Sequence, residues 1–239
     1  MSDQAMTVRP CDSIQEFEQM VELEFQIWGF RERDVVPSQM YVVAAKTGGQ
    51  VLGAFAGNRM AGFVLAYAGI RDGKPYLHSH MAAVLPEYRD LGVGRRLKLA
   101  QRDDALARGI SLIEWTFDPL QTKNAYFNIC RLGAVVRRYL LDVYGPTSSP
   151  LHAGLPTDRL VAEWHLASPR VVDVLAGKKL APDTNGQRVR VFADEASPEL
   201  TALVQASARE RFQEFFGAGY WVTWFEREAG GGSYILAKP

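Results

Sequence analysis

The stretch HMAAVLPEYRDLGVGRR, residues 80–96, decides the fold. Residues 81–85 are apolar and suit the end of a strand, whereas after Pro86 apolar residues recur at helical spacing. Gly92 and Gly94 lie between the two elements, where they allow a tight turn that exposes backbone N–H groups in front of a helix. The turn also carries three arginines: Arg89, Arg95 and Arg96. This combination predicts an anion-binding turn, although an ordinary glycine-containing helix start would give the same pattern.

Two common phosphate-binding motifs do not fit this turn. A P-loop requires Gly-x-x-x-x-Gly followed by Lys and then Ser or Thr, which the stretch lacks. A dinucleotide-binding fingerprint requires a third glycine at the position of Leu97. The pattern that remains is Arg-x-x-Gly-x-Gly.

Helical and strand patterns alternate on both sides of the stretch. On the N-terminal side we predict helices over 14–28 and 37–48, and strands over 51–56, 60–68 and 76–84. On the C-terminal side we predict helices over 93–109 and 122–132, and strands over 110–117, 135–143 and 160–166. From residue 168 the patterns indicate a helix, a strand, a long helix with Leu200 on its apolar face, and a hairpin. The prediction is an α/β (α+β) fold with a domain of residues 1–167 and a C-terminal α+β subdomain of residues 168–239.

The amino-acid composition argues against several classes of protein. The 27 Lys and Arg residues balance the 27 Asp and Glu residues, so the formal net charge is zero, which argues against nucleic acid or an anionic membrane as the main partner. The two cysteines are too few for a disulfide framework and lack zinc-site spacing, so we expect no metal. No apolar stretch approaches the ~20 residues needed to span a bilayer. These features predict a cytoplasmic protein.

Residues 80–94 resemble the acyl-CoA-binding motif of the GNAT superfamily of N-acetyltransferases, an apolar strand followed by Val-x-Pro and Arg-x-x-Gly-x-Gly. Residues 124–133 resemble the second motif of that superfamily, a helix that starts at Asn and closes on Leu-Gly. Several other segments are similar to a bacterial branch of predicted GNAT proteins: residues 79–81, 115–120, 156–159 and the region of Gly219-Tyr220. The resemblance implies a GNAT fold, a twisted, mixed and mostly antiparallel sheet with flanking helices.

The resemblance also implies that acetyl-CoA is a co-substrate. The strands 76–84 and 110–117 would splay apart to admit the pantetheine arm, and Asn124 would lie near the thioester. Main-chain groups that would bind pantetheine belong to Ala82 and Val84. Residues that would hold the pyrophosphate are Arg89, Leu91, Gly92, Val93, Gly94 and Arg95.

The implied reaction is direct attack of a primary amine, of a small molecule or a peptide, on the acyl-CoA thioester. A general base helps to expose the amine lone pair, and His78 and His80 are the candidates because their spacing places both on one face of a strand. The pair resembles the His-x-His of arylalkylamine N-acetyltransferases. The alternative is that one or both histidines pack beneath the sheet.

One departure from the superfamily affects the general acid. Many GNAT enzymes have Tyr at the position of Ile129, where it can protonate the leaving thiolate, and Tyr126 is the candidate substitute here. The alternative function is therefore a catalytically weak or inactive acyl-CoA-binding module. Glu114 and Asp118 are candidates for recognising a cationic amine, although Asp118 also suits an ordinary turn. A homodimer, in which the C-terminal subdomain completes a neighbour's site, is a further hypothesis.

Overall fold

The computed structural model describes residues 6–146, 148, 155–192 and 197–239, and these form two compact units. The first unit comprises the described residues up to Ile113, together with Ser148. The second unit comprises the described residues from Glu114 to Pro146 and from residue 155 onward.

The first unit contains an antiparallel sheet in which each strand pairs with the next one along the chain. The strands are β1 (Met6–Pro10), β2 (Gln50–Ala56), β3 (Arg59–Arg71) and β4 (Lys74–Val84). The α-helices are α1 (Ile14–Trp28), α2 (Ser38–Lys46) and α3 (Val93–Ala107). The predicted strands and helices of this region are confirmed, and β1 is an additional edge strand that the sequence patterns did not predict.

Helix α1 has well-defined ends. Ser13 caps its N-terminus and forms a capping box with Glu16, and Gly29 adopts the left-handed conformation after its last turn. The helix packs with α2 on one face of the sheet, where its Phe17 and Met20 are buried with Phe63 of β3.

Helix α3 packs on the opposite face of this sheet, against Leu52, Ala54 and Val64. Successive strand residues point to opposite faces, so both faces of β2 and β3 are covered. This arrangement explains why β2 is buried throughout its length. The strand β4 is therefore fixed between two helical layers at the point where the predicted site begins.

The second unit contains β5 from Glu114 onward and five further strands, in the order β5, β7, β6, β9, β10, β8. The strands are β5 (Leu112–Phe117), β6 (Val135–Leu140), β7 (Arg159–His165), β8 (Gln187–Phe192), β9 (Trp221–Glu228) and β10 (Gly231–Ala237). The α-helices are α4 (Thr122–Tyr126), α5 (Pro169–Leu175) and α6 (Pro198–Gly217), and α4 continues as a π-helical turn over Phe127–Arg131. The open sheets with flanking helices confirm the predicted fold class.

The segment from residue 168 onward shares its core with the preceding part of the second unit. The ring of Tyr139 stacks on Phe212 with 5.7 Å between centroids, and the Tyr234 hydroxyl donates to the Pro119 carbonyl. The face of α6 that is buried contains Gln205, Ala208, Phe212 and Phe215. Leu200 is half exposed, so its predicted place on the buried face is wrong. The predicted domain boundary between residues 167 and 168 implies that the two segments fold independently, and it stays a prediction.

None of the helices in the described ranges is both long enough and apolar enough to cross a membrane.

Candidate functional site

Strand β4 is interrupted by a β-bulge at His80. In its register with β3, Leu65 faces Met81 whereas Ala66 faces Ser79, so His80 is the extra residue. A bulge bends the strand and re-aims side chains. Met81 lies in the core beneath α1 and α2, whereas Ser79 bonds to α3 on the other face.

The backbone of β4 beyond the bulge presents hydrogen-bonding groups away from β3. The Leu85 N–H donates to the Ala61 carbonyl, and antiparallel pairs alternate between bonded and non-bonded types. Ala82 and Val84 therefore occupy non-hydrogen-bonded positions opposite β3, and their N–H and C=O groups point away from that strand. The Nε of Arg89 donates to the Val84 carbonyl at 3.2 Å.

The turn between β4 and α3 is open around Gly92. Asp90 and Gly92 both adopt left-handed backbone conformations, with φ of 61° and 77°. Apart from Gly92 and its two neighbours along the chain, no described residue has an atom within 4 Å of the position that a Cβ on Gly92 would occupy. No side chain of the described part of the chain caps α3, and the first N–H groups of an α-helix have no partner within the helix itself. This end of a 15-residue helix can therefore bind an anion.

Charged side chains surround the turn as the sequence predicts. Arg89 is exposed and fixed by its bond to Val84, while Arg96 donates to the Met6 carbonyl of β1 at 3.3 Å. Arg95 is half-buried in the first turn of α3, and Leu91 is 64% exposed at the tip. Three arginines of this neutral protein thus lie at or beside the N-terminus of α3.

The histidine rings of β4 lie on one face, as predicted. The centroids of His78 and His80 are 6.3 Å apart, and the ring of Tyr67 on β3 lies 5.7 Å from that of His80. Burial, with a smaller contribution from the nearby His78, lowers the pKa of His80 to about 4. His80 is therefore neutral at physiological pH and can accept a proton.

A buried acid that no sequence pattern indicated lies on this same face of the sheet. Glu24 of α1 is fully buried; the Tyr41 hydroxyl donates to its Oε1, and the Val36 N–H donates to its Oε2 at 2.9 Å. Burial raises the pKa of Glu24 to about 7, although both hydrogen bonds oppose the shift. No sequence signal marked this residue, because a glutamate in an amphipathic helix ordinarily faces water.

The shifted pKa values of Glu24 and His80 predict that the free energy of unfolding depends on pH in opposite directions. Glu24 has a folded-state pKa of about 7 against an ordinary 4.5, so its stabilisation is present below pH 4.5 and lost as pH rises to 7. His80 has a folded-state pKa of about 4 against an ordinary 6.5, so stability is lost as pH falls through this range. Each of the two groups contributes about 3 kcal/mol to the change in the free energy of unfolding over its pH range.

Urea unfolding across pH 4.5 to 6.5 checks this prediction. We expect Glu24→Gln to make the free energy of unfolding rise more steeply with pH than in the wild type. We expect His80→Ala to make the free energy of unfolding fall as pH rises. Each variant removes one of two opposing contributions and leaves the other. The same direction of change in both variants would contradict the assignment of these two pKa values.

A buried polar network ties β4 to α3 behind the histidines. Lys98 donates from Nζ to the Ser79 hydroxyl at 2.9 Å, and that hydroxyl lies 3.3 Å from Gln101 Oε1. Gln50 of β2 donates to the Gln101 carbonyl at 2.8 Å. Burial lowers the pKa of Lys98 to about 7. The network fixes the bulged strand relative to the helix that begins at the open turn.

Comparison with known proteins identifies this arrangement. Residues 9–127 match the family described as "Acetyltransferase (GNAT) family". The chain belongs to the GNAT family. The predicted family is thereby confirmed, while the bacterial branch within it stays a prediction.

Solved structures share the fold of this GNAT chain. A protein from Desulfovibrio desulfuricans assigned to the GNAT family has a TM-score of 0.56 and 17% identity, over 68% of this chain and 100% of its own. The ribosomal-protein-S18-alanine N-acetyltransferase of Escherichia coli has a TM-score of 0.55 and 13% identity, over 69% and 96%. NAA60 of Arabidopsis thaliana, solved with acetyl-CoA, has a TM-score of 0.55 and 12% identity, over 67% and 99%. No curated protein matched the chain.

The remaining predicted site residues of this GNAT protein lie in the second unit. Asn124 is exposed on α4, and Tyr126 is half-buried with the Arg227 guanidinium 5.1 Å from its ring centroid. Ile129, at the position where many superfamily members have Tyr, is fully buried in the π-helical turn. The roles assigned to Asn124 and Tyr126 stay predictions.

Two acidic candidates for amine recognition have protein partners in the second unit. Glu114 is buried and binds Arg138, while the Asp118 carboxylate accepts the Leu120 N–H at 2.8 Å, as in an ordinary turn. Arg137 and Arg138 also bind the buried Glu163 at distances between 2.9 and 3.2 Å. Glu114 and Asp118 therefore already have partners within the protein, an ion pair for Glu114 and a turn hydrogen bond for Asp118.

Glu163 is an ion-paired carboxylate in the core of the second unit. Burial would raise its pKa, but hydrogen bonds from His165 and Arg137 and the charges of both arginines lower it to about 2. The carboxylate therefore stays ionised at neutral pH, and a buried ion pair of this kind is costly to break.

Proposed function

We propose that the chain is an acetyl-CoA-dependent N-acetyltransferase that transfers acetyl to a primary amine of a small molecule or peptide. One observation carries the proposal: a strand with two histidines and a bulge leads directly into an uncapped helix N-terminus at an open, left-handed Gly92. The GNAT family match supports the proposal, in which the base and the anion-binding turn would belong to one continuous segment.

The turn would hold the pyrophosphate of acetyl-CoA. The backbone N–H groups from Leu91 to Arg95 are suited to this, because the helix N-terminus favours negative charge and Gly92 leaves room for a close approach. Arg89 would add a full charge at the exposed side of the turn. The Ala82 main chain and the Val84 N–H would bind the pantetheine arm, because they point away from β3.

His80 and His78 would remove the proton of the acceptor amine. When bound, acetyl-CoA supplies an electrophilic thioester carbonyl with a thiol leaving group. A primary amine becomes strongly acidic once its nitrogen attacks that carbonyl, so even a weakly basic imidazole can accept the proton. The low pKa of His80, about 4, keeps its imidazole unprotonated at neutral pH but also makes it a weak base.

A second candidate function is an acyl-CoA-binding module with weak or no turnover. The fully buried Ile129 favours it, because isoleucine cannot protonate a leaving thiolate. A thiolate of CoA leaves readily, however, so the missing acid is compatible with catalysis.

An acceptor screen tests the proposal. The purified chain is mixed with acetyl-CoA and a panel of small-molecule and peptide amines, and the appearance of free CoA thiol is followed. We expect amine-dependent thiol release in the wild type. Tight acetyl-CoA binding without amine-dependent release from any acceptor would support the binding module instead.

A further inference from the structure

Lys98 is a buried lysine on the face of α3 that packs against the sheet. Only 4% of its surface is exposed, and the neighbouring buried residues Val93 and Leu97 are apolar. Burial lowers the pKa of its ammonium group to about 7, so the position disfavours the charge. A methionine would fill the same space without that cost. Packing alone therefore does not explain a lysine here.

The Lys98 amine is directed at one hydroxyl of β4. Its Nζ donates to Ser79 Oγ at 2.9 Å, and that hydroxyl donates to Gln101 Oε1 at 3.3 Å. Lys98 and Gln101 are three residues apart, so they are neighbours on the surface of the helix. Ser79 is itself buried, and its side chain is thus held against α3 by two partners from one helix.

This anchor lies at the bulge, in the residue between the two histidines. In a regular strand Ser79 and Met81 would point to the same face of the sheet, yet Ser79 faces α3 whereas Met81 packs beneath α1 and α2. His80 is the extra residue that makes this change of face possible. The bond from Lys98 therefore favours the bulged register over a regular one, in which Ser79 or Met81 would leave its partners.

The bulge also determines where the histidine rings point. Tyr67 of β3 faces His78 across the register, and its ring lies 5.7 Å from that of His80. The two histidine rings are 6.3 Å apart. Because a register shift of one residue turns side chains to the opposite face of a sheet, loss of the bulged register would move at least one of the rings.

Helix α3 carries both this anchor and the open turn. Lys98 lies one helical turn beyond Gly94, close to the N-terminus of the helix. We propose that Lys98 and Ser79 are positioning residues for acetyl transfer, which fix the bulge of β4 and thereby align its two histidines with acetyl-CoA held at the start of α3. This role rests on the proposed function. Neither residue contacts the reacting atoms in it.

The Lys98→Met variant is the main test, because methionine keeps the buried volume and Ser79 keeps its bond to Gln101. Kinetics are measured with an amine found active in the acceptor screen. We expect kcat to fall about tenfold, while KM for the amine and the dissociation constant for acetyl-CoA stay within about twofold. The melting temperature should stay level or rise, because a buried charge is removed. Unchanged kcat, or a loss confined to acetyl-CoA affinity, would overturn the proposal.

Variants of Ser79 test the bond itself. Ser79→Ala removes the accepting hydroxyl and should be about tenfold slower, whereas Ser79→Thr keeps a hydroxyl and should regain most of the activity. Because Lys98→Met and Ser79→Ala break the same bond, the double variant should also be about tenfold slower rather than about 100-fold. Fully additive losses would show that the two residues act separately, against the proposal. If Ser79→Ala does not fold, Lys98→Met decides.

The histidine rings supply a readout that does not depend on turnover. In proton NMR spectra, the ring signals of His78 and His80 should shift in Lys98→Met, whereas those of His165 on β7 should not. Unchanged signals from both β4 histidines would overturn the proposal. The matched control is Lys46→Met, the same change at an exposed lysine of α2, which should keep the wild-type kcat and spectra. Absence of turnover with every amine would instead overturn the proposed function, and this role with it.

Discussion

Replacing His78 and His80 together with alanine is expected to lower kcat/KM for acetyl transfer by about 10³-fold. The two rings lie on one face of β4 at the bulge, and the double variant removes every imidazole that this strand offers. The helix N-terminus and Gly92 are untouched, so the dissociation constant for acetyl-CoA should stay within about threefold of the wild-type value. Steady-state kinetics and calorimetric titration together measure the two effects.

The control is His165→Ala, because His165 lies on β7 beside Glu163 and has no part in the proposed reaction. It should keep wild-type kcat/KM. Full activity of the double variant at neutral pH would exclude both histidines as the base. Equal losses of activity and of acetyl-CoA affinity would instead indicate that the variant disturbs the binding turn.

Placing valine at both Gly92 and Gly94 is expected to weaken acetyl-CoA binding by about 100-fold, or about 2.7 kcal/mol. At Gly92 the backbone φ of 77° disfavours any β-branched residue, and at both positions the new side chain would fill space that the ligand needs. Calorimetric titration of acetyl-CoA measures the loss.

The Gly94→Ala variant separates an effect on ligand binding from an effect on folding. A Cβ at Gly94 would meet only Val84 Cγ2, at an ordinary 3.8 Å, among the described residues, and alanine favours a helix over glycine by about 1 kcal/mol. The melting temperature should therefore stay level or rise, while acetyl-CoA affinity falls by about tenfold. Gly217→Ala in α6, where the described residues also leave space, is the matched control and should not change binding. Unchanged affinity in Gly94→Ala would show that the ligand does not approach this turn.

The site on the first unit was largely predictable because its signals are local in sequence. Two glycines and three arginines between a strand and a helix specify an anion-binding turn, and the spacing of His78 and His80 specifies a shared face. The structure has Gly92 in a left-handed conformation before α3 and the two histidine rings 6.3 Å apart, while anion binding and the role of the histidines stay predictions. The bulge at His80 was not predictable, because a register shift depends on the partner strand and leaves no mark on β4 alone.

Buried polar residues were the main failure of sequence reasoning. Glu24, Lys98 and Gln101 are buried, yet hydrophobic periodicity assigns such residues to the solvent-exposed face of a helix. Their burial depends on partners in other elements: Tyr41 for Glu24, and Ser79 for both α3 residues.

In the second unit, Arg137 and Arg138 also find their partner in another element. The irregular register between Val136 and Tyr139 brings both guanidinium groups to the buried Glu163 of β7. That contact joins residues that are 25 or more positions apart in the sequence.

The central claim is that acetyl passes directly from acetyl-CoA to an amine, and a single-turnover experiment tests it most directly. Enzyme in excess is mixed with acetyl-CoA carrying a ¹³C-labelled acetyl group and an active amine, and the products are measured by mass spectrometry. For direct transfer we expect labelled N-acetyl amine and free CoA in equal amounts, with no label on the protein. Intact acetyl-CoA, or label that accumulates on the protein before it reaches the amine, would contradict it.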